Sequence, residues 1–166
     1  VAPQEYTSEK TCRSQVPALH KALERARVWR PNLVNSDIGG GKFSKATVYL
    51  RTLGVDNIVF DPYNRSDLHN DSALSIITKG VDTATVANVL NVIKEFDSRR
   101  DVIQIARFSM VAYFDVYEGD KSGEGKPTRD GWQENRKLAT YVAEVKAVFN
   151  DVEVQTLGGL RVIVAQ

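Results

Sequence analysis

Cysteine is almost absent from this chain: Cys12 stands alone among 166 residues, which excludes an internal disulfide framework and any metal site built from thiolates. Histidine is nearly as scarce. His20 and His69 lie far apart in sequence, so no resident metal is expected. Long apolar runs are missing too, none approaching the roughly 20 residues of a membrane span. No basic-then-apolar segment opens the sequence. These absences lead us to expect no membrane partner and a soluble, reducing compartment, the cytoplasm. Charge of one sign is also lacking, since 22 Lys and Arg against 21 Asp and Glu leave +1, and no overall field calls for a polyanion. Apolar content is ordinary at 42%, enough for one core and too little for two at this length. A single domain over 1–166 is expected, with 1–30 as a leading helical segment.

Strand and helix patterns alternate along it. "SQVPALHKALERARVW" places Val16, Leu19, Leu23 and Ala26 on one helical face, with Ser14 as the cap and Pro17 in the first turn. "NLVNSDI" reads as a strand, "KFSKATVYLRTL" as a helix closed by Gly54, and "VDNIVFD" as a second strand, which together make a βαβ unit. "SDLHNDSALSIIT" reads as a helix, "VDTATVANVL" as a strand and "SRRDVIQIARF" as a helix with the capping pair Ser98 and Asp101. "MVAYFDVYEG" is the most apolar strand. The polar loop 120–131 follows, then a helix over 132–149 opened by the capping box Asp130 and Gln133. The last segment, "DVEVQTLGGLRVIVAQ", is a hairpin around Gly158 and Gly159, so the sheet is mostly parallel with an antiparallel end.

The stretch that carries chemistry is "NSDIGGGKFSKA". A glycine-rich turn between strand and helix lets backbone approach a ligand and presents free amides, and open α/β sheets bind ligands at the carboxyl ends of their strands. Three ligand classes use such a turn. The nucleoside-triphosphate loop needs glycine and Ser or Thr where this chain has Ser36 and Phe43, which excludes it. The dinucleotide pattern needs a third glycine where Ser44 stands, so a nicotinamide-dependent oxidoreductase fits poorly. The third class sets an acid before the glycines and another at the end of the next strand. Asp37, Gly39, Gly40 and Gly41, followed by Asp61, have that spacing.

With these motifs, together with "FDPYNRS", "VANVLNVI" and "GWQENRK", the chain resembles class I S-adenosylmethionine-dependent methyltransferases, in particular small methyltransferase-like proteins of bacteriophages. The resemblance implies a Rossmann-like sandwich with S-adenosylmethionine as cofactor. It implies Asp37, Gly39 and Gly41 around the methionine and sugar portions, Asp61 on the ribose hydroxyls and Asn88 beside the cofactor. A phage-encoded chain would work in the host cytoplasm. Two departures stand out. Phe43 replaces a glycine common in the family, and the stretch between the second and third strands is too short for a full helix and strand, so one edge strand of the usual seven is expected to be missing.

Each residue also has a plainer use: Asp37 as a turn cap, Asp61 as the start of a turn before Pro62, Asn88 as a strand-end partner, and Tyr63 as core cover instead of an adenine-stacking ring. Asn88 and Glu118 are the candidate catalytic residues on the acceptor side, where Tyr113, Asp115 and Tyr117 also lie. Lys121 and Lys126 of the loop are candidate substrate contacts, against the plainer reading of a solvated charged connector. The chain has neither an Asn/Asp-Pro-Pro-aromatic box nor a cysteine near the central strands, which disfavours two familiar DNA methylation chemistries. The acceptor is left open among nucleic acid, protein and small molecule. So is a non-catalytic module that only binds the cofactor.

Overall fold

The computed structural model describes residues 2–166, so Val1 of the leading segment lies outside the described residues. Four parallel strands form the centre of the sheet: β1 (Val34–Ile38), β2 (Asp56–Phe60), β3 (Val81–Ala87) and β4 (Ser109–Asp115). β7 (Val152–Leu157) and β8 (Leu160–Ala165) form the expected hairpin, with β8 antiparallel to β4. The order is β2-β1-β3-β4-β8-β7. Six strands result, because the chain between β2 and β3 holds only one helix.

Both faces are covered, as a parallel sheet requires. α1 (Ala18–Arg25) and α2 (Lys45–Thr52) bury Leu19, Leu23 and Leu50 against Tyr113 and Val162. On the other face α3 (Asp67–Ile77), α4 (Phe96–Ala106) and α5 (Val142–Lys146) bury Ile77, Ile103 and Val145 against Phe114 and Ile163. β1 lies between β2 and β3, so the connections leaving it and entering β3 run to opposite sides. A crevice opens at the carboxyl ends of β1 and β3, where such sheets hold ligands.

Three local expectations are corrected. α1 starts at Ala18 with Pro17, not Ser14, at its cap position, because proline has no amide hydrogen to leave unpaired there. α4 is entered from Glu95. Ser98 instead donates to the carbonyl of Ala2, and Asp101 accepts from Ala2 N at 2.7 Å, so this pair ties down the start of the chain. The long helix over 132–149 is replaced by a two-residue strand, β6 (Trp132–Gln133), paired with β5 (Lys126–Pro127), then a 3-10 turn at Leu138–Tyr141 and the short α5. Asn135 explains the break. Its φ is +56°, outside helical space, and its buried side chain accepts from Asp120 N and donates to Glu124 O, holding the loop and leaving no capping role for Asp130 and Gln133.

Candidate functional site

The glycine turn is shaped by contact, not by flexibility. Gly39 has φ +72°, and a Cβ placed there would lie 2.6 Å from Val89 Cγ2, on the loop that follows β3. A Cβ on Gly40 would lie 2.8 Å from Asp37 Oδ2. Only glycine lets the turn sit between its own strand-end acid and the neighbouring loop.

Asp61 holds the turn from β2. Its Oδ2 accepts from Gly41 N at 2.9 Å and from Asn64 Nδ2 at 3.0 Å, while Oδ1 accepts from Tyr63 N and Asn64 N, both at 3.1 Å. Four donors fill the carboxylate's acceptor positions, three of them backbone amides. Asn64 Oδ1, beside it, is buried and has no partner among the described residues.

Ile38, Gly39, Asp61, Tyr63, Asn88 and Val89 line one cleft of about 70 Å³, together with Val102 and Ile105 of α4. Four of the residues expected from sequence thus converge. The cleft has two further lining residues, Gln4 and Ser8, which lie far from the motif in sequence.

Asp37 faces the other way, into a buried polar layer under α1. Thr85 Oγ1 donates to Oδ1 at 3.0 Å, Asn57 Nδ2 donates to Oδ2 at 3.3 Å, and His20 Nε2 lies 3.4 Å from Oδ2. Burial pushes the carboxyl up, but the charge and hydrogen bond of His20 and the bonds from Thr85 and Asn57 outweigh it and hold it below its ordinary value. Asn35 completes the layer, donating to Thr85 Oγ1 and Asn57 Oδ1 and accepting from Thr83. His20, Asn57 and Thr85 are not in the sequence reading. For Thr85 the signal was there, since with Thr83 it puts polar residues at every second position of a strand otherwise marked as buried; His20 on α1 and Asn57 on β2 carry no such alternation.

Beyond Val89 lies the acceptor side. Asn88 has φ +53°, and its N–H is shared between the carbonyl of Asp115 at 3.1 Å and Asp115 Oδ1 at 3.2 Å. Burial pushes the Asp115 carboxyl up to about 6, against the lowering effect of the Asn88 amide and of His20. Glu118 does not stand free: its Oε2 accepts from Leu138 N at 2.6 Å and caps the 3-10 turn. Lys121 and Lys126 are exposed and lie 4.0 Å from Glu118 and Asp120, outside the cleft lining. Among the described residues no group of three His, Cys, Asp or Glu is placed to hold a metal, and no helix is long and apolar enough to cross a membrane.

No family model matches the sequence, and no curated protein matches it. Solved structures do match the fold. The 1,6-didemethyltoxoflavin-N1-methyltransferase of Burkholderia thailandensis, with 1,6-didemethyltoxoflavin and S-adenosylhomocysteine bound, is 16% identical with a TM-score of 0.63, over 92% of this chain and 77% of that one. The sugar N-methyltransferase KedS8 from a Streptoalloteichus species is 10% identical with a TM-score of 0.56, over 99% and 94% of the two chains. The N-terminal domain of EvdMO1 with SAH bound is 12% identical with a TM-score of 0.56, over 94% and 82%. The fold is therefore the Rossmann-like sandwich of class I methyltransferases, reached at a sequence identity where only the fold is shared.

Proposed function

We propose that this chain transfers a methyl group from S-adenosylmethionine to an acceptor presented at the carboxyl ends of β3 and β4. The observation that carries the reading is the convergence of Gly39, Asp61, Tyr63 and Asn88 on one largely apolar cleft at the strand-order switch of the sheet. Those residues fit the cofactor. Val89, Pro62 and Tyr63 offer apolar and aromatic surface to a purine. The unpartnered Asn64 Oδ1 and the Asp61 carboxylate offer acceptors to ribose hydroxyls. Of the four donors on Asp61, only the Asn64 side chain can rotate away to make room, since the other three belong to backbone. Similar folds that bind S-adenosylhomocysteine support the same reading.

The cofactor brings an already activated methyl sulfonium. This chain's residues are then left with orientation and, where the acceptor must lose a proton, with receiving it. Asn88 reaches the cleft with a side-chain amide that has no protein partner among the described residues, and it orients the acceptor. Asp115, directly behind its backbone, is the carboxylate poised to share a proton near neutral pH.

A second reading, an adenosyl-binding module without turnover, draws on one observation: Glu118 is committed to Leu138, and Asp115 is only 4% exposed. Calorimetry with S-adenosylmethionine, S-adenosylhomocysteine and NAD tests the shared premise. Both adenosyl ligands should bind and NAD should not; NAD binding with neither adenosyl ligand bound would overturn the proposal. Label transfer from methyl-labelled cofactor to nucleic-acid, protein or small-molecule pools then separates the enzyme from the module and sorts the acceptor class.

A further inference from the structure

Residues 2–12 form a strap across the cleft, pinned at both ends. At one end Ala2 N donates to Asp101, and Glu5 N donates to Glu95 Oε2 at 3.0 Å. In the middle the Lys94 ammonium meets Glu5 Oε2 at 2.6 Å and lies over the rings of Tyr6 and Trp132, which stack 5.3 Å apart. At the other end Asn64 Nδ2 donates to Ser8 Oγ at 2.9 Å, Lys42 Nζ donates to the carbonyl of Glu9, and Cys12 Sγ packs where a Cβ on Gly41 would stand. The strap thus spans from α4 to the glycine turn and turns Gln4 and Ser8 inward to line the cleft.

Two features set Gln4 apart. Its neighbours in the strap are all engaged, yet its own carboxamide makes no hydrogen bond with any described residue. It also lines the cleft beside α4, since Ala2 and Glu5 to either side of it are tied to Asp101 and Glu95. Gln4 thus shares one cleft with Pro62, Tyr63 and Val89, the surfaces offered to the purine. A carboxamide sets a donor and an acceptor side by side, which complements the 6-amino group and adjacent ring nitrogen of adenine. The closed cleft, at about 70 Å³, is also well below the roughly 300 Å³ of a small-ligand pocket, so a bound adenosine has to displace the strap outward before it can contact it.

Resting on the cofactor reading above, we propose that Gln4 is the residue that selects the purine, and that the strap is the movable wall of the adenosine site. Ser8 links the wall to the ribose end, because Asn64 Nδ2 is shared between Ser8 Oγ and Asp61 Oδ2. Adenosine binding and strap position are then one event.

The test is a double cycle by calorimetry on the full chain: S-adenosylhomocysteine against its purine analogue lacking the 6-amino group, titrated into the parent protein and Gln4→Ala. Because Gln4 makes no hydrogen bond with any described residue, the substitution should leave the fold alone, and an unfolding midpoint equal to the parent's checks this. The parent should bind the analogue about tenfold more weakly, and in Gln4→Ala that penalty should shrink to within about twofold. An equal penalty in both proteins overturns the role of Gln4. If the parent fails to bind S-adenosylhomocysteine, the cofactor reading itself falls, and the first titration distinguishes that failure from the other.

Discussion

Asp61 Oδ2 accepts a hydrogen bond from Gly41 N at 2.9 Å, so the acid that ends β2 grips the turn that ends β1. The same carboxylate therefore serves structure before it serves any ligand. Asp61→Ala leaves three backbone amides without their acceptor in a residue environment only 2% exposed. A loss of about 2–4 kcal/mol of stability is expected, with urea unfolding as the measurement. Asp61→Asn keeps part of the bonding and should lose less. If Asp61→Ala unfolds at the parent's midpoint, the acid does not hold the turn.

Gly39→Ala should be worse than an ordinary surface change for two separable reasons. A left-handed residue with a side chain costs about 1–2 kcal/mol, and the new methyl would sit 2.6 Å from Val89 Cγ2. Adding Val89→Ala relieves the second and not the first. In urea unfolding the double variant should lose less stability than the two single variants summed; strictly additive losses would show that the turn and the Val89 loop are not in contact.

Asp115 makes stability depend on pH in an unusual direction for a carboxylate. Its folded pKa of about 6 lies above the ordinary 3.8, so the native state holds the proton more tightly than the unfolded chain does. That contribution is fully present below pH 3.8 and is lost as pH rises through about 6. Asp115→Asn keeps an acceptor for Asn88 N and removes the charge. It should stabilise the protein by up to about 3 kcal/mol at pH 8 and by almost nothing at pH 3. Equal effects at the two pH values in urea titrations would rule out burial of the charge as the cause.

Arg99 joins α4 to the segment that replaces the expected long helix. Its guanidinium meets Glu134 at 2.7 Å and Glu144 at 2.8 Å and donates to the carbonyls of Ile93 and Lys94. Arg99→Ala leaves Glu134 and Glu144, each 12% exposed, with Arg136 as their remaining cation at 3.9 and 3.0 Å, and about 2–3 kcal/mol should be lost. Arg99→Lys should not restore it, because one ammonium cannot reproduce the planar fork. Thermal unfolding of the two variants checks both statements.

The βαβ unit, the hairpin at Gly158 and Gly159, the missing edge strand and the placing of the glycine turn and Asp61 at successive strand ends were legible in the sequence alone. Each depends on short-range causes: the period of apolar residues, the steric freedom of glycine, and the number of residues available between two strands. What only the tertiary structure decided lies in contacts between distant segments. Nothing local in "WQENRK" opposes a helix, yet Asn135 turns left-handed because Asp120 and Glu124 take its side chain. Nothing in the sequence joins Glu118 to the amide of Leu138, and the polar layer around Asp37 exists only once α1 brings His20 onto it. Gln4 and Ser8 have no sequence signal at all. They reach the cleft because Asp101, Glu95 and Lys94, some ninety residues away, hold the strap in place, and the energy of such contacts depends on the folded geometry and not on any residue's own propensity.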